Sequence, residues 1–271
     1  MILVQSCAFV VLVCAIVQAG VLKPSQENVP GLRNSHSNDL IEELTGQFRG
    51  DLVLRTEQGQ SLGDNKRSTL ASISSRWPGG IVLYSIFEQH FTSAQIEHIE
   101  KAMNHVESHS CVKFVKRTVE RNFVNITGHG TGGCSSSAGY TTGLQVLNLH
   151  PTPVDTECFK LGEIVHLLLH TLGFIHQHSV FNRDEYVEIL WENVDPNMEQ
   201  NFHRYADHLL EDFGVPYDYD SVMHYGETTY SKNGKRTIVP KDPNARIGQR
   251  EGLSTGDIIK LNLRYECAYQ K

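Results

Sequence analysis

His166-Leu167-Leu168-Leu169-His170-Thr171-Leu172-Gly173-Phe174-Ile175-His176 is the stretch that decides the fold. His166 and His170 are four residues apart, so on a helix they project from one face. Gly173 follows a turn later. Glycine tolerates a left-handed backbone, so it can end the helix and swing the chain back, which brings His176 to the same point from the other side. Three converging imidazoles form a borderline nitrogen set that suits zinc in a roughly tetrahedral arrangement. The bland alternative is three histidines that fell in a buried helix by chance. Helix spacing, glycine and third histidine all argue against it.

The rest of the chain sets the context. Its 271 residues allow one or two domains with a core of ordinary size, and a net charge of -7 argues against nucleic acid or anionic membrane as the main partner. Met1 to Ala19 is an apolar run ending in small residues, and is expected to be a secretory signal peptide. An N-terminal membrane anchor is the competing reading, but the run is short for a span. Residues 20–67 are polar and low in aromatics, interrupted by a short amphipathic patch at Leu40, Ile41 and Leu44. They read as a pro-segment that ends at the dibasic pair Lys66-Arg67. Residues 68–271 then form the folded domain.

Within that domain, apolar alternation over Ile81 to Ile86 predicts a strand. Thr92 to Ser110 predicts a helix, with Thr92 and Gln95 as a capping box and Ile96, Ile99, Met103 and Val106 as its apolar stripe. Short strands are expected at 112–115, 124–127 and 144–149, and the metal helix at about 159–172. Asp195-Pro196 predicts another helix start, and Ser254 to Tyr265 a final helix capped by Ser254. The fold class is therefore α+β. Six cysteines are present, of which Cys7 and Cys14 lie in the leader. The remaining Cys111, Cys134, Cys158 and Cys267 favour two disulfides, with three pairings open. Asn125-Ile126-Thr127 is a glycosylation sequon.

With Ser221-Val222-Met223-His224-Tyr225 added, the chain resembles the astacin family of metzincin zinc peptidases. Gly173-Phe174, Arg183-Asp184-Glu185-Tyr186-Val187, Asn193-Val194 and Tyr217-Asp218-Tyr219-Asp220 fit the same family. The resemblance implies a twisted, mostly parallel sheet, a central zinc-binding helix and a Met-turn at Met223. It implies one zinc held by His166, His170 and His176, with Tyr225 as a further ligand that swings away to stabilise the transition state. It implies the disulfides Cys111–Cys267 and Cys134–Cys158. Phe48-Arg49-Gly50-Asp51 is similar to the family's latency motif, in which the aspartate ligates the zinc, and Asp51 matches that aspartate.

The departures cluster around the cleft. The family places glutamate after the first histidine, as general base towards the attacking water; here it is Leu167. A hydrocarbon has no proton to exchange, and such a base is typically worth about 10²–10⁴ in rate. Gln177 replaces the family's glutamate after the third histidine, which pairs with the processed amino terminus. Val180 and Asn182 replace its usual Arg and Asp, and Ser135 and Tyr140 also differ. Glu163, one turn before Leu167, is the nearest substitute base on the same face, but helical side chains lean towards the N-terminus and carry it away from the metal. No catalytic residue other than Tyr225 is thus expected intact.

The expected function is that of a secreted, extracellular, monomeric astacin-like protein with weak or lost proteolytic activity. Its partner would be an extracellular protein or peptide, with no nucleic acid, and no membrane once the signal is removed. The competing expectation is an active zinc metalloendopeptidase in which zinc and Tyr225 suffice. A third is a secreted domain whose zinc only holds the fold.

Overall fold

The computed structural model describes residues 50–53, 76–129, 133–205 and 213–269. The signal reading for 1–19, most of the 20–67 segment and the Lys66-Arg67 pair lie outside the described residues. A six-stranded sheet runs in the order β1-β5-β6-β4-β2-β3, where β1 is Leu52–Val53, β2 Ile81–Ile86, β3 Lys113–Lys116, β4 Phe123–Thr127, β5 Cys134–Ser137 and β6 Leu144–Leu149. Neighbouring strands are parallel except β5 with β6.

Helix α1 (Ser93–Ser108) starts where the Thr92–Gln95 capping box forms reciprocally, which satisfies two donors at the helix end. Its buried face is Ile99, Ala102, Met103 and Val106. Helix α2 (Leu161–Thr171) is buried along almost its whole length, and α3 (Thr255–Arg264) is capped by Ser254 with Asp257. These helices and the inward residues of the sheet (Val82, Tyr84, Val124, Ile126, Leu147, Leu149) form the main core. A smaller core around Val187, Ile189, Phe202, Tyr225, Tyr230 and Ile238 is organised by a two-stranded antiparallel sheet of β7 (Val187–Ile189) and β8 (Ile238–Pro240).

Disulfides join Cys111 to Cys267 and Cys134 to Cys158. The first closes a separation of 156 residues, which in the chain-entropy picture removes on the order of 5 kcal/mol of unfolded-state freedom. One expected element is absent. Asp195-Pro196 opens no α-helix; a turn follows, then one 3-10 turn at Glu199–Phe202. Asp195 instead accepts from the Asn197 backbone N–H at 2.9 Å and closes a local turn. No helix among the described residues is long and apolar enough to cross a membrane.

Candidate metal centre

Helix α2 ends as its sequence demands. Gly173 sits at φ +90°. Phe174 N–H donates to Leu169 O at 2.9 Å and Gly173 N–H to His170 O at 2.8 Å, the paired bonds of a left-handed C-cap. The last carbonyls are also satisfied: Trp77 Nε1 donates to Thr171 O, and Arg264 Nε and the Tyr265 hydroxyl donate to Leu172 O. This termination lets His176 return to the histidines of α2.

Asp51, His166, His170 and His176 form one buried cluster, with a ligand atom of each within 4.8 Å of the others. Asp51 Oδ2 meets His166 Nε2 and lies 3.3 Å from His170 Nε2, while Oδ1 lies 2.9 Å from His176 Nε2. His170 and His176 bring their Nε2 atoms to 3.2 Å. The opposite ring nitrogens are fixed by backbone. His166 Nδ1 donates to Val222 O and His170 Nδ1 to Phe174 O, each at 2.8 Å. Such bonds set the tautomer and turn the Nε2 lone pairs inward. Val222 lies in the Met-turn, closed by His224 N–H donating to Ser221 O at 3.0 Å, so Met223's turn orients a metal-site histidine.

The electrostatics favour a cation. Burial pushes the Asp51 carboxyl up, but the three surrounding imidazoles outweigh it and hold the group well below its usual range. Burial pushes His176 down to about 3 and lowers His170, against the attraction of Asp51. At neutral pH a carboxylate therefore faces neutral imidazoles at His170 and His176, and His170 has committed its one proton to Phe174 O. A buried set of acceptors facing one another is satisfied by a metal ion, and the donor chemistry matches zinc. When bound, zinc supplies Lewis acidity for hydrolysis.

Tyr225 is fully buried beside the cluster. Its ring lies 4.4 Å from His176, centroid to centroid, and stacks on His178 at 3.9 Å. Gly50, at φ +68°, is the residue that lets Asp51 in: any side chain there would collide with the hydroxyls of Tyr230 and Tyr225. Asp51 is held by the sheet edge, since Ser136 N–H donates to Asp51 O at 2.8 Å and β1 pairs with β5.

The departing residues have ordinary structural partners. Leu167 is fully buried in the main core. Glu163, in the first turn of α2, is buried too, with Arg250 Nε donating to its Oε2 at 2.8 Å. That pairing turns it to Arg250. Gln177 Oε1 accepts from Lys260 Nζ at 2.8 Å, at the wall of a cavity of about 350 Å³ that Val180 and Asn182 also line. Tyr140 packs edge-on against Trp77 and accepts from Asn122 Nδ2, and Ser135 is buried in β5. The arginine and lysine partners were invisible in the sequence, because they stand 87 and 83 residues away.

A histidine-rich site at the end of a helix, with a Met-turn beneath it, defines the metzincin class of zinc metallopeptidase folds. Residues 69–266 match the Astacin peptidase family, and the chain belongs to that family. It is 41% identical over 260 residues to Zinc metalloproteinase nas-14 of Caenorhabditis elegans, covering 92% of this chain and 51% of that relative. It is 38% identical over 234 residues to Seminal metalloprotease 1 of Drosophila melanogaster, covering 83% of this chain and 89% of that one. The chain thus spans about half the length of the nematode relative. High choriolytic enzyme 1, a hatching enzyme zinc-protease from Oryzias latipes, superposes with a TM-score of 0.65 at 33% identity, over 74% of this chain and 98% of that chain. The family cofactor is zinc, and the four-residue cluster fits one ion.

Proposed function

We propose that the chain is a secreted zinc-binding protein of astacin fold whose proteolytic activity is weak or lost, and that it works by holding extracellular peptide or protein segments in its cleft. The observation that carries this reading is Leu167, a fully buried hydrocarbon at the general-base position. Zinc ligation by His166, His170 and His176, with Tyr225 beside them, needs no residue at 167. Proton transfer does. Glu163, tied to Arg250, supplies no replacement. The pairing of β1 with β5 supports the binding role, because it is main-chain pairing along a sheet edge, which holds an extended segment with little regard to its side chains.

In this reading residues 1–19 are a signal peptide and 20–67 a pro-segment whose Asp51 caps the metal until it is removed. The retained cap is also what favours the second reading, a working endopeptidase, since a latency device has a purpose in an active enzyme. The deciding experiment takes the chain processed at Lys66-Arg67, confirms zinc by elemental analysis and assays cleavage of a denatured protein, with Leu167→Glu alongside. A silent wild type and a cleaving variant support loss of the base. Chelator-sensitive cleavage by the wild type overturns the proposal.

A further inference from the structure

The helices cover one face of the six-stranded sheet. The other face has its own chemistry. Val124 and Ile126 of β4 point into the core, so Phe123, Asn125 and Thr127 lie on the opposite face. Strand register places Asn125 between Ser85 and Val146, and Phe123 opposite Leu144. Ile81 and, opposite Leu83, Val115 share that face. Ile81, Val115, Leu144 and Val146 are 44%, 44%, 50% and 38% exposed, an unusual density of open apolar side chains for one sheet face. The Arg117 guanidinium, 3.9 Å from the Phe123 ring centroid, covers part of it.

At one end of this patch, beside Val146, stands the chain's one sequon, Asn125-Ile126-Thr127. Asn125 Oδ1 accepts from Ser85 Oγ at 2.9 Å. Its Nδ2 makes no hydrogen bond among the described residues and is not buried, so the amide is held in place with its nitrogen turned outward. The Thr127 hydroxyl lies 2.9 Å from His90 Nδ1 and Thr127 is buried, so in the fold this hydroxyl is already engaged.

We propose that Asn125 Nδ2 carries an N-linked glycan that lies over this apolar face and keeps it from pairing with other chains. The proposal rests on the secretory reading above. The donor is a polyisoprenyl-pyrophosphate-linked oligosaccharide. The sugar C1–O bond breaks and C1–Nδ2 forms; Nδ2 gives up one proton and the lipid pyrophosphate leaves. The polar sugar then supplies what the strands lack, a hydrated cover over Val115, Leu144 and Val146.

The test expresses the full chain in a secreting eukaryotic host and takes intact mass before and after an N-glycan-removing enzyme. The expected result is a glycan-sized loss of mass, absent in Asn125→Gln and kept in Thr127→Ser. Enzymatic removal from folded wild type should make it self-associate at a roughly tenfold lower concentration by sedimentation, the equivalent of a few tens of Å² of uncovered apolar contact. This arm stands even if Asn125→Gln fails to fold. Protein recovered from the medium without a glycan overturns the site and leaves the secretory reading intact. Deglycosylated protein that stays as monomeric as before overturns the covering role. A chain retained in the cytosol overturns the secretory reading instead; replacing 1–19 with an established signal then decides the site by the same mass measurement.

Discussion

The two sides of helix α2 have different histories written into them. One side carries His166 and His170, and every support for metal binding is in place: a carbonyl for each Nδ1, a glycine turn that delivers His176, and a Met-turn that fixes His166. The other begins a single residue later, about 100° round the helix, where Leu167 is packed as plain core. Ligation and proton transfer are separable here because neighbouring helix positions face different surroundings. The ligands answer to Asp51 and the turn carbonyls; position 167 answers to the apolar core.

The sharpest way to break this separation is to alter each side in turn. His166→Ala should take zinc from one ion per chain to none by elemental analysis, since one of three imidazole ligands is gone. Leu167→Ala should keep the zinc and lose about 2–5 kcal/mol of stability through the cavity it leaves, read by denaturant midpoint. Zinc lost from the leucine variant would show that the two sides are coupled.

Leu167→Glu tests the same contrast from the chemical side. Restoring a base should raise hydrolysis of a denatured substrate about 10²–10⁴-fold over the processed wild type, and a chelator should abolish the gain. The variant also places a carboxylate where the wild type is fully buried, so its unfolding midpoint should fall. A variant that folds and binds zinc yet does not cleave would locate the lesion elsewhere, with Val180 and Asn182 the next positions to restore.

Buried imidazoles extend beyond the ligand set, and acid should find them. Burial pushes His224 down to about 4, while its Nδ1 donates to Tyr225 O and its Nε2 bonds the Tyr217 hydroxyl at 2.7 Å. The folded-state pKa is below the unfolded one, so between pH 6.5 and about 4 the unfolded chain holds a proton that the folded chain refuses. Stability from this group is full above pH 6.5 and falls as pH drops to about 4, by on the order of 3 kcal/mol. His178, lowered further by burial, acts in the same direction. Denaturant midpoints against pH should give a flatter curve for His224→Gln; parallel curves would remove His224 from the account.

What the sequence made legible follows the same division. Helix α2 was readable because its ligands obey helical spacing and its glycine marks the end. Strand β2 was readable from alternation, the Thr92–Gln95 capping box from a hydroxyl three residues before its partner, and the start of α3 from Ser254 as its cap. Strand β5 was not: Cys134-Ser135-Ser136-Ser137 has weak strand propensity, and it is a strand because β6 and β1 flank it and Ser136 Oγ lies 2.8 Å from Thr171 Oγ1. Asp195-Pro196 carried a helix-start signal that a local turn absorbed. At the site, the clustering of His166, His170 and His176 and the leucine at 167 were visible, but the Arg250 grip on Glu163 and the Lys260 grip on Gln177 come from tertiary packing that no local pattern encodes.

That last contact gives the smallest test. Gln177 is buried, and its amide oxygen accepts from the Lys260 ammonium across the wall of the cavity beside His176. A carboxylate in the same place would turn a hydrogen bond from an ammonium to a neutral amide into an ion pair, at the cost of burying the new charge. Lys260 already stands within bonding distance, so the partner needs no rearrangement, and Gln177→Glu should stabilise the fold by about 1 kcal/mol. In a Lys260→Met background the same change should destabilise, because the carboxylate is then buried without its cation. The difference between the two effects is the coupling energy that a double-mutant cycle reads. A cycle that closes to zero would mean that Lys260 does not engage position 177 in solution. A positive coupling would show that the wall beside the zinc site is held from within the fold, by α3, whatever happens to the chain's amino terminus.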